Sequence, residues 1–592
     1  MTTAGLLYNI AEQERTFVSF FKETTNAFLI LLIGFFALYF ILIKGVFGWI
    51  DKSREKTDFN AGSDDRIRAP LKTWIIISCI FFICWIPYLI ILFPGSMGGK
   101  DYFWQLLQGS GALPLSNHHP VLGSVVFALL YKAGYFLGGA EGGMLFTSLF
   151  QMTLMCLILG YVFAILRLLQ VPKKVLAVCM GVLCLCPIFP LNVIWTVKDS
   201  IFSSIAVLFF FGVYINVVGS KKGIRIPIIF SLPALTVLAV LFSLYRNGTT
   251  IIAVIMLAFT VAAGIKYSGS NKRKVIIRGC AAIVAFVSVI YGWGILMDQL
   301  NVYPTNFREA CVTMSRQLLR SYDERPEKFD NQQKQMIKKV YTDAVKNYGT
   351  LEVLASRRNY INGDKFKPDY FKNRDEVKDY VVLWFQIGCK NPEIYLDEAL
   401  HSTYMYWWCG IKPENVVSST PLPRYRTFFV EEGHGDALIG DYYPQISKSL
   451  GENNEILSMT MSDYLLDFPE LREVVYLDNA YPKAITKVGS FTALIKKIPI
   501  ISLFMIPGLY TWITMIGIAY LFARKLEGRI MWPILLLTAI ACLSPVNGYM
   551  RYVLPVDVFS LILAGICFIP AKATVQSEPG ELQDKTDDRQ DP

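Results

Sequence analysis

Charge is scarce in this chain. Only 18% of its 592 residues are charged against 53% hydrophobic, and the mean hydropathy is +0.40. A soluble globular protein is excluded by that balance. Histidine is scarcer still, with four in all, and the twelve cysteines follow no regular spacing. Nine of them lie in or beside apolar runs, and only Cys311, Cys389 and Cys409 fall in the long polar segment. That pattern argues against a disulfide framework or a zinc site. No stretch reads as a cleavable signal: residues 1–25 are mixed polar, and no small-residue cleavage site follows the first apolar run. That run reads as a retained helix. The net charge of +10 is not a nucleic-acid footprint, because Lys and Arg sit mainly in short loops between apolar runs.

What the chain does have is long apolar runs. They lie at about 26–49, 73–94, 144–168, 174–190, 200–218, 226–245, 249–267, 275–297, 499–522, 529–545 and 552–570. Most approach the roughly 20 residues that cross a bilayer as a helix. The fold class is therefore an all-α polytopic membrane protein with about eleven transmembrane helices. Residues 1–297 read as an N-terminal transmembrane module with an outer loop at 95–143. Residues 298–490 are too long for a loop and predict a mainly helical extracytoplasmic domain. Residues 491–571 supply the last helices, and the charged 572–592 predicts a disordered cytoplasmic tail.

Residues 120–138 could cross the membrane or lie along its surface. Arg167, Lys173, Lys174, Lys221, Lys222, Arg225, Lys266, Lys272 to Lys274, Arg524, Lys525 and Arg529 share one side, the cytoplasmic one. If 120–138 crosses, the basic 51–72 loop falls outside. If it lies flat, that loop is inside and the N-terminus outside, as the positive residues prefer. Lys132 and the short length also suit an interfacial helix. The flat reading then places Asp101, the 191–199 loop, Arg246, the large domain and the 546–551 loop on one outer face.

That face carries the candidate chemistry. The loop Pro94 to Pro120 gathers an acid (Asp101), an amide one helical turn on (Gln105) and Asn117-His118-His119. Lys198-Asp199 opens a helix; it is either a self-neutralising anchor suited to the helix dipole or a second acid beside a phosphate-binding lysine. Arg246-Asn247 and Arg551-Tyr552 end two more helices. An Arg beside Tyr at an interface is often a snorkelling anchor, but two of them with Lys198 suit an anionic headgroup, since guanidinium matches phosphate oxygens. Arg316, Gln317 and Arg320 lie on a helix just after the last N-terminal span. The aromatic Tyr404 to Trp408 reads as a helix resting on headgroups, or as a sugar-stacking surface. Adjacent histidines make a poor bidentate metal site, and His434 in Glu431 to Asp436 is a weak cation candidate. No metal ligand set is assigned, and a divalent cation stays open.

With those residues in hand, the chain resembles the GT-C superfamily of membrane glycosyltransferases, and looks most like a poorly characterised bacterial branch. The matching pattern is Pro94-Gly95 with Asp101 and Gln105, Asn117 to Pro120, Lys198-Asp199, Arg246-Asn247-Gly248, Arg316-Gln317 with Arg320, and Arg551-Tyr552. The resemblance implies an acid and surface-lying helices in the first outer loop. It also implies a polyprenyl-phosphate-linked sugar as donor and transfer on the outer face of the cell membrane. The acceptor would be an envelope glycan, teichoic acid, lipid or protein. Two departures stand out. Asp101 is alone where many relatives have paired acids, and Trp407-Trp408-Cys409 lacks the acid of the Trp-Trp-Asp motif. Asp101 is expected to act as general base and Asp199 to assist, with Gln105, Asn117, His118, His119, Lys198, Arg246, Asn247, Arg316, Gln317, Arg320, Arg551 and Tyr552 binding substrate. The rival classes are a lipid-linked-sugar flippase or transporter, a polysaccharide polymerase or ligase, and a non-catalytic scaffold. Neither repeated halves nor charges lining a path favour the transporter.

Overall fold

The computed structural model describes residues 17–55, 67, 69–97, 100–303, 311–342, 350–356, 374–409, 438–439, 454–477, 480–543 and 549–570. Its N-terminal half is a series of helices: α1 Phe17–Glu55, α2 Leu71–Ile91, α3 Lys100–Gly109, α4 Val121–Leu168, α5 Lys173–Leu185, α6 Ile188–Ile194, α7 Lys198–Lys222, α8 Leu232–Tyr245, α9 Thr250–Tyr267 and α10 Lys272–Gln299. The polar segment adds α11 Val312–Glu324, α12 Asn331–Val340, α13 Leu351–Ser356, α14 Arg374–Lys390, α15 Pro392–Thr403 and α16 Pro469–Val475. The chain closes with α17 Pro482–Lys497, α18 Pro499–Leu503, α19 Pro507–Ala523, α20 Leu535–Cys542 and α21 Leu554–Cys567. Among the described residues the protein is all-α apart from two-residue strands β1 Ser96–Met97 and β2 Trp195–Thr196. Among the described residues, five helices are long and apolar enough to cross a membrane, or six if the bent pair α5–α6 is one span; three more are apolar but shorter.

The bundle has two chemically distinct ends. At one, the Asp51 carboxylate accepts hydrogen bonds from Tyr520 (2.7 Å) and Arg524. There too Arg54 donates to the Cys567 carbonyl (3.2 Å), Ile67 N–H to the Arg225 carbonyl (2.8 Å), and Lys221 pairs with Glu527. The end of α1 and Ile67 thus lie with the basic ends of α7 and α19. The opposite end holds the C-terminus of α2 and the N-termini of α4 and α7.

Helix α4 explains how this sidedness arises. It breaks at Gly138–Gly139, where Gly139 takes a left-handed φ of 61° that side chains rarely adopt. The two limbs then touch backbone to backbone: a Cβ on Gly134 would lie 2.3 Å from the Gly142 carbonyl oxygen. The first limb stays at the far end along its length. Its start packs with Met297 and Val302 at the end of α10. Further along, Tyr131 donates to the Glu470 carbonyl (2.7 Å) and Tyr135 contacts the Glu473 carboxylate (3.3 Å). Helix α3 crosses this limb at Gly109, whose absent Cβ would fall 2.1 Å from the Ser124 carbonyl oxygen.

Two further contacts fix the polar segment. It has its own core of Cys311, Leu318, Ile337, Tyr380 and Ile387 among others. Helix α1, with 39 residues, is about 58 Å long at 1.5 Å per residue, well beyond a roughly 30 Å hydrocarbon layer, and it packs against α15. The Trp407–Trp408 segment sits on the start of α19: Trp512 Nε1 donates to the Trp407 carbonyl (2.7 Å), and a Cβ on Gly508 would lie 2.7 Å from that of Trp408. The aromatic turn therefore rests on protein.

These contacts predict different fates for two helical glycines. Gly109→Ala should lower the thermal midpoint of the detergent-solubilised protein, because α3 must leave α4. Gly181→Ala, in α5 with nothing within 4 Å, should leave it unchanged or raised, since glycine costs a helix about 0.5–1 kcal/mol.

Candidate functional site

The site is assembled by a clip between two loops. β1 pairs in parallel with β2, Ser96 opposite Trp195 and Met97 opposite Thr196. Thr196 Oγ1 donates to the Ser96 carbonyl (2.7 Å). Gly95 makes the close approach possible: its φ is 153°, and a Cβ there would lie 2.6 Å from Ser148 Oγ. The clip ties the first loop to the start of α7, whose opening residues are Lys198 and Asp199.

Asp199 is 2% exposed and lies between two arginines. Its Oδ1 is 3.6 Å from Arg246 and its Oδ2 is 4.0 Å from Arg551. Both distances suit ion pairing but exceed hydrogen-bonding range. Arg246 follows the last turn of α8 in extended backbone, φ −147° and ψ 124°. Its carbonyl is held by Thr249 Oγ1 (2.7 Å), its guanidinium donates to the Tyr552 carbonyl (3.0 Å), and the Phe202 and Tyr552 rings flank it at 5.3 and 5.6 Å. Arg551, in the turn Met550–Tyr552, packs against the rings of Trp195, Tyr549 and Tyr552 at 5.0–5.4 Å. Aromatic faces stabilise the cations without using up their N–H groups.

A second layer carries the first loop. Lys198 Nζ is 3.2 Å from His119 Nδ1. An ammonium can only donate, so Nδ1 accepts and the ring proton sits on Nε2. His118 stacks edge-on against His119 at 4.7 Å and faces Trp104 at 6.2 Å. Asn247 donates to the Asn117 carbonyl (3.0 Å), while Asn117 N–H donates to the Tyr303 carbonyl (2.8 Å). Buried Gln105 completes the group. A Cβ on Gly123 would lie 3.9 Å from its Oε1, 3.6 Å from Lys198 Cβ and 3.9 Å from the Tyr245 ring.

Of the residues singled out from the sequence, the structure brings together Gln105, Asn117, His118, His119, Lys198, Asp199, Arg246, Asn247, Arg551 and Tyr552. Asp101 is the second residue of α3, and its side chain lies outside the described residues, as does the whole of Glu431 to Asp436 with His434. Arg316, Gln317 and Arg320 are engaged within the polar segment. Gln317 bonds the Tyr395 carbonyl (2.9 Å) and Trp384 Nε1 (2.9 Å), and Arg320 pairs with Glu324 (2.7 Å) and Glu398 (3.4 Å). Burial holds the Arg316 guanidinium below its usual range, with Glu398 opposing that shift. These contacts give the trio a place in the internal packing of that segment.

Three sets of residues were not assigned to this site from the sequence. The aromatic cradle of Trp195, Phe202 and Tyr549 is one. Tyr406 is another: it is fully buried in a small cluster with Ala541 and Val553. Burial pushes its phenol well above the usual range, the neighbouring Tyr552 and Cys542 add to this, and Arg246 opposes it. The third is Asp557 of α21, wholly buried, with neither carboxylate oxygen hydrogen-bonded among the described residues. No three His, Cys, Asp or Glu side chains gather into a metal site among the described residues.

Chemically, two guanidinium groups face one carboxylate at the N-terminus of a 25-residue helix, which favours negative charge, and the ammonium that opens the same helix is held at His119. The cluster can take an oxyanion. Residues 109–579 match the model of a family of unknown function (DUF6020), and the chain belongs to that family. No curated protein and no solved structure matches it.

Two stability measurements follow. Asp199→Ala should destabilise the solubilised protein by about 3–5 kcal/mol, as expected when a buried charge pair loses one partner. Combined with Arg246→Met, the losses should be non-additive by about 1 kcal/mol. Asp557→Asn should behave oppositely, keeping or raising the thermal midpoint, because an unpartnered buried carboxylate costs free energy.

Proposed function

We propose that this protein is a membrane glycosyltransferase. It moves a sugar from a polyprenyl-phosphate carrier to an acceptor at the cell envelope. The observation that carries the reading is the meeting of Arg246 and Arg551 around Asp199 at one end of the bundle, with Lys198 next to Asp199 in the chain and held at His119. They come from three distant stretches of chain, and they stand beside the loop of α3 that bears Asp101. A scaffold has no need for such an assembly. In this reading the bundle makes eleven crossings, with its basic end in the cytoplasm of a bacterial cell. The first limb of α4 lies along the outer surface, and the polar segment forms an extracytoplasmic domain that binds the acceptor.

The mechanism is an inverting displacement. Asp101 takes the proton of the acceptor hydroxyl as its oxygen bonds to the anomeric carbon. The bond from that carbon to the phosphate oxygen breaks, and the carrier phosphate leaves with the electron pair. Arg246, Arg551 and Lys198 stabilise the charge growing on that phosphate; fixed cations suit this task because they need no reorganisation as charge develops. Asp199 holds the arginines in register, and His119 steers Lys198 through its Nδ1. The lipid bilayer delivers the carrier, and no nucleic acid takes part.

Transfer from labelled polyprenyl-phosphate sugar in membranes tests this directly. Asp101→Asn should lower the rate by roughly 10²–10⁴-fold, the contribution of a positioned base, and Arg246→Lys or Arg551→Lys by about 10²-fold. Inorganic pyrophosphate should raise the thermal midpoint of the unaltered protein and not of an Arg246→Met, Arg551→Met variant. Unchanged transfer by Asp101→Asn removes the catalytic assignment. Movement of lipid-linked sugar across the bilayer with an unmodified acceptor would instead identify a flippase.

A further inference from the structure

Helix α17 has a composition and a position that the site does not explain. It carries Lys483, Lys487, Lys496 and Lys497, and no acidic residue occurs between Asp478 and Glu527. One face is anchored: Thr492 is fully buried, and Ile485 and Ile495 pack on the main core. The other face is open, with Phe491, Leu494 and Ile498 each more than 40% exposed, and Ile500 of α18 75% exposed. Lys483, Lys487 and Lys497 are exposed beside them.

Both ends of this stretch are fixed in the half of the bundle that carries the site. Ala480 N–H donates to the Phe93 carbonyl (3.1 Å) just past the end of α2. Beyond α18, the Phe504 carbonyl accepts from Tyr510 (2.7 Å) and Cys186 (3.3 Å), at the start of α19 and the end of α5. The helix, 16 residues and so about 24 Å long, therefore runs along the site end of the bundle and does not cross it. Its lysines lie opposite the end that collects Lys221, Lys222, Arg225, Arg524 and Lys525, so they do not serve to orient the chain. Apolar side chains exposed beside lysines, leading into the apolar helix α19, match a lipid headgroup layer on both counts. The rings and branches enter the acyl boundary while the ammonium groups remain among phosphates.

We infer that α17 lies in the headgroup layer at the site end and binds anionic phospholipid through Lys483, Lys487 and Lys497, with Phe491, Leu494 and Ile498 inserted below. The full-length protein, reconstituted in bilayers of phosphatidylcholine with a minor share of phosphatidylglycerol, tests this with a benzophenone amino acid placed at position 491 or 494. Irradiation followed by mass analysis should yield phospholipid adducts, with phosphatidylglycerol enriched several-fold over its share of the bilayer. Lys483→Gln, Lys487→Gln and Lys497→Gln together should keep the adducts and abolish the enrichment. Adducts without headgroup preference overturn the anionic-lipid assignment. Adducts only to polyprenyl phosphate, only to protein, or none at all, overturn the placement of the helix.

Discussion

One buried carboxylate organises the site end of this molecule. Asp199 is the shared counter-ion of Arg246 and Arg551, and each arginine belongs to a different part of the chain. Two like charges brought this close would repel by several kcal/mol at the reduced effective dielectric of a partly buried site. With the carboxylate between them, the end of α8 and the turn before α21 can converge on the start of α7. The aromatic rings around both guanidinium groups supply the rest of the stabilisation while leaving the cluster cationic overall.

This cluster stands where regular structure stops. A spanning helix satisfies its backbone internally and has little to offer a polar ligand. The starts and ends of helices are different, because their first N–H and last C=O groups need partners. Lys198 and Asp199 open α7, Arg246 follows α8 in extended backbone, and Arg551 sits in a short turn before α21. The first limb of α4 and the β1–β2 clip bring a fourth strip of chain, Asn117 to His119, to the same level. The glycines at positions 95, 109 and 134 allow these pieces to approach at backbone distance.

Much of this was legible in the sequence, for a physical reason. Crossing hydrocarbon demands length and apolarity, so the five helices long enough to span, and the bent pair α5–α6, announce themselves as apolar runs. Positive residues between runs grouped the loops, and the ends of α1, α7 and α19 meet as that grouping implies. The Lys-Asp, Arg-Asn and Arg-Tyr pairs were visible because polar residues at helix ends are conspicuous against apolar neighbours. Other features were not legible. Arg316, Gln317 and Arg320 show no partners in one dimension, and only three-dimensional packing reveals Glu398, Trp384 and the Tyr395 carbonyl beside them. Trp195, Phe202 and Tyr549 read as ordinary apolar or interfacial residues, since stacking on a guanidinium leaves no pattern in spacing. Asp557 hides inside an apolar run.

The contrast between Asp199 and Asp557 shows how environment divides the roles of identical side chains. Both are almost fully buried and both lie in the first turn of an apolar helix. Asp199 faces two guanidinium groups, so its charge is compensated and holds other parts of the protein in place. Asp557 has no hydrogen-bonding partner among the described residues, so any charge there must be borne by the desolvated group itself. A carboxylate in the first position can organise an anion site without taking part in proton transfer, because neutralising it would release the arginines it spaces.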